Sequence, residues 1–260
     1  MSFEVDPDWW MELFDEVYLA TDARSVCDDE VTRKEIDLIQ ELIPLAPDQE
    51  ILDLCGGHGR HSRELALRGF GKCTVFDFSQ FLIDRGRKAA NEAGVAIRFL
   101  QGDARKTGLP PERFDHVLVL GNSLGYIASP DGDRDILSEA MRLMKSGGRL
   151  LLDIVNGEAL KSGFQPVAWH EIGEEIVVCR RRSLEGDIVR TRELVVSKKS
   201  GLVKDSTYLL RIYDPDSMRL LLSKIGFSGI NVIRDFSPFG KTGDFGFMNF
   251  RMIVTAEKPA

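Results

Sequence analysis

The segment Glu50–Arg68 places the strongest constraint on how this chain folds. An apolar strand, Ile51–Leu54, leads into the turn 55–59, C-G-G-H-G, and a helical pattern follows. A glycine-rich turn between a strand and a helix lets a ligand approach bare backbone N–H groups. The carboxylate of Asp53, at the end of the strand, favours a cationic group over a phosphate there. Such a turn also occurs as a plain structural element, so its role depends on what the rest of the chain places beside it.

Strands and helices alternate between residues 51 and 154 and again near the end of the chain. Strands are predicted at Ile51–Leu54, Cys73–Phe76, Ala96–Leu100, His116–Leu120, Arg149–Ile154, Gly229–Asp235 and Phe247–Glu257, with a turn at 145–148. Helices are predicted at Asp8–Ala20, Asp29–Ile43, Arg60–Arg68, Gln80–Glu92, Arg134–Met144 and Asp216–Lys224. This alternation indicates an α/β fold, a doubly wound and mostly parallel sheet with helices on both faces. The last two strands are expected to supply its antiparallel edge.

The stretch Pro166–Arg211 has a different pattern, in which polar and apolar residues alternate and helix formers are few. Turns at 185–187 and 199–201 divide it, which predicts a small antiparallel β insert of three or four strands. The insert is too short for a large core of its own and is expected to pack over the sheet edge. The chain therefore divides into a main domain, residues 1–155 and 212–260, and an insert, residues 156–211.

Residues Asp8–Ala20 carry aromatic side chains at helical spacing with acidic residues between them. Trp9, Trp10, Phe14 and Tyr18 are too many aromatic residues for a free tail, so the helix must cover something. It is either a helix that caps the core or a lid over a pocket, and both interpretations stay open.

The charge balance argues against a nucleic-acid partner. The formal net charge is -7 and the sequence pI is about 5.3, whereas nucleic-acid binding needs clustered Lys and Arg. No apolar stretch approaches membrane-spanning length, so no membrane partner is expected. The four cysteines show no C-x-x-C spacing, and the N-terminus lacks the pattern of a signal peptide. These features indicate reduced thiols and a cytoplasmic protein.

Three aspartates, Asp53, Asp77 and Asp103, lie where successive predicted strands end. In a parallel sheet these ends meet at one edge, where α/β proteins bind ligands. A carboxylate at the second strand end suits both hydroxyls of a ribose, and Asp103 with the N–H of Ala104 suits an adenine. An ammonium is favoured beside Asp53, where a pyrophosphate would be repelled. The residues thus indicate an adenosine attached to a cationic group.

These residues are similar to the motifs of the class I S-adenosylmethionine-dependent methyltransferases. The run 53–62, D-L-C-G-G-H-G-R-H-S, resembles the family's D-x-G-x-G-x-G motif, with Cys55 at the first glycine position. Residues 114–126 resemble the fourth strand and the motif after it. Residues 14–18, F-D-E-V-Y, resemble the aromatic N-terminal lid of the small-molecule subgroup, and the insert is like that subgroup's β-lid. The resemblance implies a seven-stranded, Rossmann-like sheet with an antiparallel C-terminal strand.

The resemblance further implies a pocket for S-adenosyl-L-methionine, with S-adenosyl-L-homocysteine as product, and methyl transfer to an amine or hydroxyl of a small molecule. The expected cofactor-binding residues are Tyr18, Asp53, Cys55, Gly57, Gly59, Arg60, Asp77, Phe78, Asp103, Ala104, Leu120 and Gly121. Arg60 is expected to pair with the methionine carboxylate. No catalytic base is assigned; the candidates near the reacting group are Tyr18, Asn122, Tyr126, His170, Arg211 and Tyr213. No metal is expected, and the chain is expected to be a monomer or homodimer.

Two other functions use similar residues. A nicotinamide or flavin enzyme is disfavoured, because the glycine spacing departs from G-x-G-x-x-G and the insert replaces a second nucleotide-binding half. A non-catalytic S-adenosylmethionine-binding sensor or assembly protein needs the same pocket, so the pocket residues do not exclude it. The aromatic lid and the β insert favour a closed reaction chamber instead. By the family resemblance, the lack of an N-P-P-Y or D-P-P-Y tetrad after the fourth strand favours a small metabolite over a nucleobase.

Overall fold

A computed structural model describes residues 3–237 and 246–260 of the chain. The helices are α1 Trp10–Leu13, α2 Glu16–Val26, α3 Asp29–Leu42, α4 Arg60–Leu67, α5 Gln80–Glu92, α6 Gly132–Leu143, α7 Gly157–Ser162 and α8 Pro215–Ile225. The strands are β1 Ile51–Leu54, β2 Cys73–Asp77, β3 Arg98–Gln101, β4 Phe114–Val119, β5 Met144–Val155, β6 Val167–Ile172, β7 Ile176–Glu185, β8 Ile188–Ser197, β9 Gly201–Arg211, β10 Ser228–Phe236 and β11 Arg251–Glu257. The predicted α/β class is confirmed.

Seven strands form the main sheet in the order β10-β11-β5-β4-β1-β2-β3. The five strands β3, β2, β1, β4 and β5 run parallel to one another, whereas β11 runs antiparallel to both β5 and β10. The predicted mostly parallel sheet with an antiparallel C-terminal strand is therefore confirmed. The strand order reverses between β1 and β4, and in open α/β sheets such a reversal leaves a crevice at the carboxyl ends of the strands.

The buried strand β1 anchors this crevice. Successive residues of a strand point to opposite faces of the sheet. Leu52 and Leu54 pack with residues of α6 and α8 on one face, and Ile51 packs with residues of α3 and α4 on the other. Because apolar residues cover both faces, the turn that follows β1 is held firmly at its start.

The backbone of that turn adopts left-handed conformations. Cys55 and Gly59 have φ angles of 59° and 69°. A Cβ atom at Gly59 would lie 2.9 Å from side-chain atoms of both Val75 and Phe99, so the position requires glycine. The positive φ of Cys55 also explains why a glycine is usual at its position in the motif, since few other residues adopt this conformation readily.

The continuous helix predicted at Asp8–Ala20 is wrong, because residues 14 and 15 interrupt it between α1 and α2. The side chain of Asp15 accepts the backbone N–H of Tyr18 at 2.9 Å, which starts a new helix. Lys204 from β9 holds the break, since its Nζ lies 2.7 Å from Asp15 Oδ2 and 3.3 Å from the carbonyl oxygen of Leu13. Local capping and one long-range contact thus override the helical spacing of the aromatic residues.

Three further differences from the predicted elements concern β5, β11 and a helix after β5. The turn predicted at 145–148 belongs to β5, because Gly147 donates to the carbonyl of Lys258 at 2.9 Å and Lys258 donates to that of Gly148 at 2.9 Å. Strand β11 begins later than predicted, since 246–249 form a short 3₁₀ helix. Helix α7 was not predicted; Asn156 caps it by accepting two backbone N–H groups. The other predicted elements end within two residues of the observed limits.

The insert forms a separate sheet of four antiparallel strands in the order β6-β7-β8-β9, as its alternating pattern predicts. Its last strand joins the main fold: the N–H of Arg211 donates to the carbonyl of Gly125 at 2.8 Å, and Leu209 belongs to the same core cluster as the residues on the α6 face of β1. The insert also buries an ion pair between Arg180 and Glu193 at 2.5 Å. The four-stranded sheet is therefore tied to the loop that follows β4.

Candidate active site

One cavity opens at the carboxyl ends of β1, β2 and β4. Every residue predicted to bind the cofactor lines this cavity except Asp53 and Gly59. Two of the predicted reaction-end residues, Tyr18 and Tyr126, line it as well. Nine further lining residues were not among the assigned site residues: Trp10, Phe14, Gly56, His58, His61, Leu82, Ser123, Ile127 and Ile136. Three of these, Leu82, Ile127 and Ile136, are apolar residues whose only sequence signal is the hydrophobic periodicity that also marks core positions.

Asp77 links the end of β2 to the glycine turn after β1. Its Oδ2 accepts the backbone N–H of Gly57 at 2.8 Å, and its Oδ1 accepts that of Ser79 at 2.8 Å. Burial raises the pKa of this carboxyl above its ordinary value, although the backbone hydrogen bonds oppose the shift. An ionised carboxylate has about four acceptor positions. Asp77 therefore keeps acceptor capacity for hydroxyl groups in the cavity.

An aromatic compartment of the cavity lies at the ends of β2 and β3. The rings of Trp10 and Phe78 meet edge to face with centroids 4.7 Å apart, and the guanidinium of Arg105 lies 5.4 Å from the ring centroid of Trp10. Arg105 also pairs with both carboxylate oxygens of Asp103 at 2.6–3.0 Å. The hydrogen bonds from Arg105 hold the pKa of Asp103 below the ordinary value of an aspartate. Aromatic faces beside a polar strand end suit a planar heterocycle.

Asp53 lies below the turn rather than in the cavity wall. Its side chain is completely buried, and a Cβ atom at Gly56 would lie 2.6 Å from its Cγ. Oδ2 accepts the hydroxyl of Ser62 at 3.0 Å, whereas Oδ1 has no hydrogen-bond partner among the described residues. Burial raises the pKa of Asp53 to about 7. The glycine turn thus separates this carboxylate from the cavity that it was expected to line.

Arg60, the first residue of α4, is nearly buried and reaches the cavity with one nitrogen. Its Nη1 forms a short ion pair with Glu35 and donates to Thr32 Oγ1 at 2.8 Å. Its Nη2 has no partner among the described residues, and a Cβ atom at Gly121 would lie 4.0 Å from it. An unpartnered buried guanidinium nitrogen is costly, and a carboxylate is its natural partner. This arrangement supports Arg60 as the residue for a ligand carboxylate.

The sequence analysis did not predict the buried network of charged residues behind Arg60. Arg251 from β11 donates to Glu35 at 2.7 Å and pairs through two nitrogens with Asp153 on β5. Asp153 Oδ2 accepts the backbone N–H of Gly121 at 3.0 Å. Burial opposes ionisation of Glu35, but the guanidiniums of Arg60 and Arg251 outweigh it and hold the pKa of Glu35 well below its usual range. The network thus reaches both sides of the cavity end where Arg60 and Gly121 lie.

Aromatic side chains from the N-terminal helices and the β4 loop form one wall of the cavity. The ring of Phe14 meets Tyr18 edge to face at 5.0 Å and lies 5.8 Å from Tyr126. Trp9 packs behind them, 5.3 Å from Tyr126 and 5.6 Å from Tyr208 of the insert. The carbonyl of Phe14 also accepts the hydroxyl of Ser79 at 2.9 Å, which fixes the lid beside the end of β2. The N-terminal segment therefore contributes both to the hydrophobic core and to the lining of the cavity.

Four of the reaction-end candidates lie outside the cavity lining: Asn122, His170, Arg211 and Tyr213. Asn122 is buried, and its side-chain oxygen accepts the N–H of Val155 at 3.0 Å. His170 lies on β6 opposite Val178.

Arg211 and Tyr213 both bind the buried carboxylate of Asp133. The hydroxyl of Tyr213 donates to Asp133 at 2.7 Å, and Arg211 Nη1 lies 3.3 Å away. Asp133 also accepts the backbone N–H of Gly125 at 2.8 Å. These two residues therefore support the loop after β4, which carries Tyr126.

Two titratable side chains of the cavity are already engaged. His61 Nε2 lies 2.9 Å from Glu35, and burial lowers the pKa of His61 to about 4, so it is neutral at pH 7 and donates to Glu35. Asp103 is held by Arg105, as described above. Burial raises the pKa of the Cys55 thiol, which keeps it protonated. None of these three side chains is placed to remove a proton at neutral pH.

Among residues 3–237 and 246–260, no group of three His, Cys, Asp or Glu side chains is arranged to hold a metal ion. In the same part of the chain, no helix is both long and apolar enough to cross a membrane.

Known methyltransferases resemble this chain in sequence. Residues 51–148 match a family model described as a methyltransferase domain. The chain is 28% identical over 192 residues to a glycine/sarcosine N-methyltransferase of Aphanothece halophytica, covering 72% of this chain and 69% of that protein. It is 34% identical over 113 residues to a ubiquinone/menaquinone biosynthesis C-methyltransferase of Roseobacter denitrificans, covering 42% of this chain and 44% of that protein. The chain thus spans less than half of that second relative.

The fold is also that of solved methyltransferases. An S-adenosylmethionine-dependent methyltransferase from Clostridium acetobutylicum superposes with a TM-score of 0.72 at 16% sequence identity, covering 94% of this chain and 97% of that one. At this identity the likeness shows the fold. Together with the family model, it accounts for the glycine turn, the strand order and the cavity in one architecture.

Proposed function

We propose that the chain is a class I S-adenosylmethionine-dependent methyltransferase that methylates an amine of a small molecule, since residues 51–148 match a methyltransferase-domain model and the fold is that of solved methyltransferases. The observation that carries the proposal is the wall of Phe14, Tyr18 and Tyr126 beside the glycine turn. Aromatic faces attract a sulfonium or ammonium cation, which contributes on the order of 0.5–2 kcal/mol per contact. The same wall excludes water from the place where the methyl group would be transferred.

The chemistry of the cavity residues fits S-adenosyl-L-methionine from end to end. Asp77 would accept the ribose hydroxyls, and the compartment of Trp10 and Phe78 beside Ala104 would hold the adenine. Arg60 Nη2, unpartnered among the described residues, would receive the methionine carboxylate. The cofactor supplies an electrophilic methyl group on sulfur. S-adenosyl-L-homocysteine would occupy the same residues as the product.

The protein's own contribution is orientation of the two reactants. Holding them in line contributes about 7–11 kcal/mol to such a reaction. A neutral amine attacks with its lone pair, whereas a hydroxyl needs a base during attack. Two titratable side chains of the cavity, His61 and Asp103, are bound to Glu35 and Arg105 and are not placed to deprotonate a hydroxyl. This supports an amine acceptor, and we assign Tyr18 and Tyr126 to the reacting end.

The comparisons point in the same direction. The relative that covers 72% of this chain is named for glycine and sarcosine N-methylation. The C-methyltransferase relative covers only 42% of the chain. The relative that matches the longer stretch is thus the one named for N-methylation, which supports an amine acceptor over the hydroxyl alternative and over the non-catalytic sensor.

The role of the insert, the cellular compartment and the oligomeric state belong to the same proposal. Residues 156–211 would cover the acceptor side, because Tyr208 packs on Trp9 and Lys204 holds Asp15. The formal charge of -7 supports a small-molecule acceptor without a nucleic-acid partner. Four free cysteines support a cytoplasmic protein. We expect the protein to be a monomer or homodimer.

Labelled methyl transfer tests the proposal. The protein is incubated with methyl-deuterated S-adenosyl-L-methionine and matched pairs of small compounds, each pair differing only by an amine or a hydroxyl at one carbon. We expect labelled product from amines alone, identified by mass spectrometry, with Asp77→Ala as the control for cofactor dependence. Labelled hydroxyl or carbon products without any labelled amine would contradict the amine assignment.

A further inference from the structure

Glu35 carries a buried charge that neither the family motif nor the cavity lining includes. It lies in the middle of α3, and its side chain is 3% exposed. Three side chains converge on its carboxylate: Arg60, His61 and Arg251. Burying ions is costly, and a buried ion pair is often no more stabilising than an apolar replacement. Stability alone therefore does not account for a carboxylate at this position.

The carboxylate of Glu35 fixes the direction of Arg60. It binds Nη1, and Thr32 binds the same nitrogen from the previous turn of α3. With Nη1 held on this side, the guanidinium plane directs Nη2 toward Gly121, where it has no partner among the described residues. A planar guanidinium recognises a carboxylate only in a defined orientation. The aim of Nη2 thus depends on residues that do not touch the cavity.

The same network supports the opposite side of the cavity. Arg251 joins Glu35 to Asp153, and Asp153 accepts the N–H of Gly121 through Oδ2. The carbonyl of Asp153 also accepts the N–H of Asn122 at 2.9 Å. The position of Gly121 relative to Arg60 Nη2 is therefore set through Arg251.

We propose that Glu35 is a positioning residue, which directs Arg60 toward the carboxylate at the methionine end of the cofactor. Through Arg251 and Asp153, Glu35 also sets the distance between Arg60 and Gly121. This inference rests on the proposed function, because it requires that the cavity bind S-adenosylmethionine. It predicts that changes at Glu35 weaken the recognition of one chemical group of the ligand and spare the rest. A residue that served only the fold would weaken every ligand alike.

Two ligands that differ in that group provide the test. S-adenosyl-L-homocysteine carries the amino-acid carboxylate, whereas S-adenosyl-3-thiopropylamine keeps the adenosine, the sulfur and the amine but lacks the carboxylate. The ratio of their dissociation constants is measured by calorimetry. The variants are Arg60→Met, Glu35→Gln and Thr32→Val, and folding is checked by circular dichroism and thermal melts. Glu193→Gln is the matched control, since Glu193 is also a buried partner of an arginine but lies in the insert.

We expect Arg60→Met and Glu35→Gln to weaken S-adenosyl-L-homocysteine roughly tenfold and the thiopropylamine less than about twofold. Thr32→Val keeps the charge of Glu35 and removes one hydrogen bond, so a loss of roughly threefold with the same selectivity is expected. Glu193→Gln should leave the ratio unchanged. If Glu35→Gln does not fold, the Thr32→Val ratio decides.

The outcomes separate the two proposals. If Arg60→Met binds each of the two ligands as tightly as the wild type does, Arg60 does not lie at the carboxylate site and the proposed cofactor orientation is overturned. A selective loss in Arg60→Met with none in Glu35→Gln and Thr32→Val would leave that orientation intact and overturn the positioning role. Tighter binding of S-adenosyl-L-homocysteine by Glu35→Gln would also overturn it, because Glu35 would then compete with the ligand for Arg60.

Discussion

The carboxylate of Asp77 accepts the backbone N–H of Gly57 at 2.8 Å and so joins the end of β2 to the turn that follows β1. The two residues are 20 positions apart in the chain. One side chain therefore shapes the glycine turn and also faces the cavity. The two roles make Asp77 the residue on which the adenosine end of the proposed site depends.

Replacing Asp77 by Asn should weaken every adenosine ligand. The amide keeps the shape of the side chain but loses the charge that strengthens hydrogen bonds to hydroxyl groups. A loss of roughly 1.5–3 kcal/mol is expected, about 10- to 100-fold in the dissociation constant. Calorimetry with S-adenosyl-L-homocysteine and with S-adenosyl-3-thiopropylamine should show the same loss for both. Unchanged affinity in a folded variant would remove Asp77 from the site.

Replacing Tyr126 by Leu should alter the discrimination between cofactor and product. S-adenosyl-L-methionine carries a positive sulfonium, whereas S-adenosyl-L-homocysteine carries a neutral thioether. Loss of an aromatic face should weaken the first by about 0.5–2 kcal/mol more than the second. Leu184→Ala, in the insert, is a control for general loss of packing. An equal loss for both ligands would show that the ring of Tyr126 lies away from the sulfur.

Asp53 should make the stability of the protein depend on pH in an identifiable way. Burial raises the pKa of Asp53 to about 7, so the folded state holds this proton more tightly than the unfolded chain. The contribution of Asp53 to the free energy of unfolding is favourable at low pH and is lost as the pH rises from about 4 to about 7. Asp53→Asn carries no charge to bury. Its stability relative to wild type should therefore rise across this range, by a few kcal/mol at most.

Denaturant unfolding at several pH values measures this difference. Ser62→Ala gives a second check, because the hydroxyl of Ser62 lowers the pKa of Asp53 and its loss should move the transition to higher pH. Taking the difference in unfolding free energy between wild type and variant also removes the contribution of His61. Burial lowers the pKa of His61 to about 4, so its effect on stability has the opposite sign in the same pH range. A difference that does not vary with pH would contradict the buried, protonatable carboxyl.

Tyr213 should affect stability more than cofactor binding. Its hydroxyl donates to the buried carboxylate of Asp133, which also accepts the N–H of Gly125. Removing the hydroxyl in Tyr213→Phe should cost about 1–3 kcal/mol of unfolding free energy, because the hydrogen bond is to a charged group. The dissociation constant of S-adenosyl-L-homocysteine should stay within about twofold. A large loss of affinity with unchanged stability would instead place Tyr213 at the ligand.

The strand ends were predictable because each signal is local. A carboxylate or glycine directly after an apolar strand lies at a known edge of a parallel sheet, so Asp77, Asp103 and Gly57 could be assigned from the sequence. Asp53 was expected in the cavity wall for the same reason. The sequence does not reveal that Gly56 packs directly over its carboxylate, which places the side chain below the turn.

The remaining site residues depend on long-range contacts. Glu35 and Arg251 are 216 positions apart, and Arg251 begins a mostly apolar strand, so no spacing pattern relates them. The N-terminal helix was predicted from the spacing of its aromatic residues, but its interruption depends on Lys204 of the insert. Arg211 and Tyr213 were candidates for the reacting end because they lie where the insert ends and the last helix is about to begin. Only the fold shows that Asp133 binds both of them.

Calorimetric titration of the wild-type protein with S-adenosyl-L-methionine and S-adenosyl-L-homocysteine, with NAD as the control, tests the central claim most directly. The arrangement of Asp77, Arg60 and the aromatic wall predicts micromolar binding of the first two ligands and no binding of NAD. Binding of NAD with no binding of either S-adenosyl compound would contradict the account, because the cavity would then accept a pyrophosphate where we place a methionine.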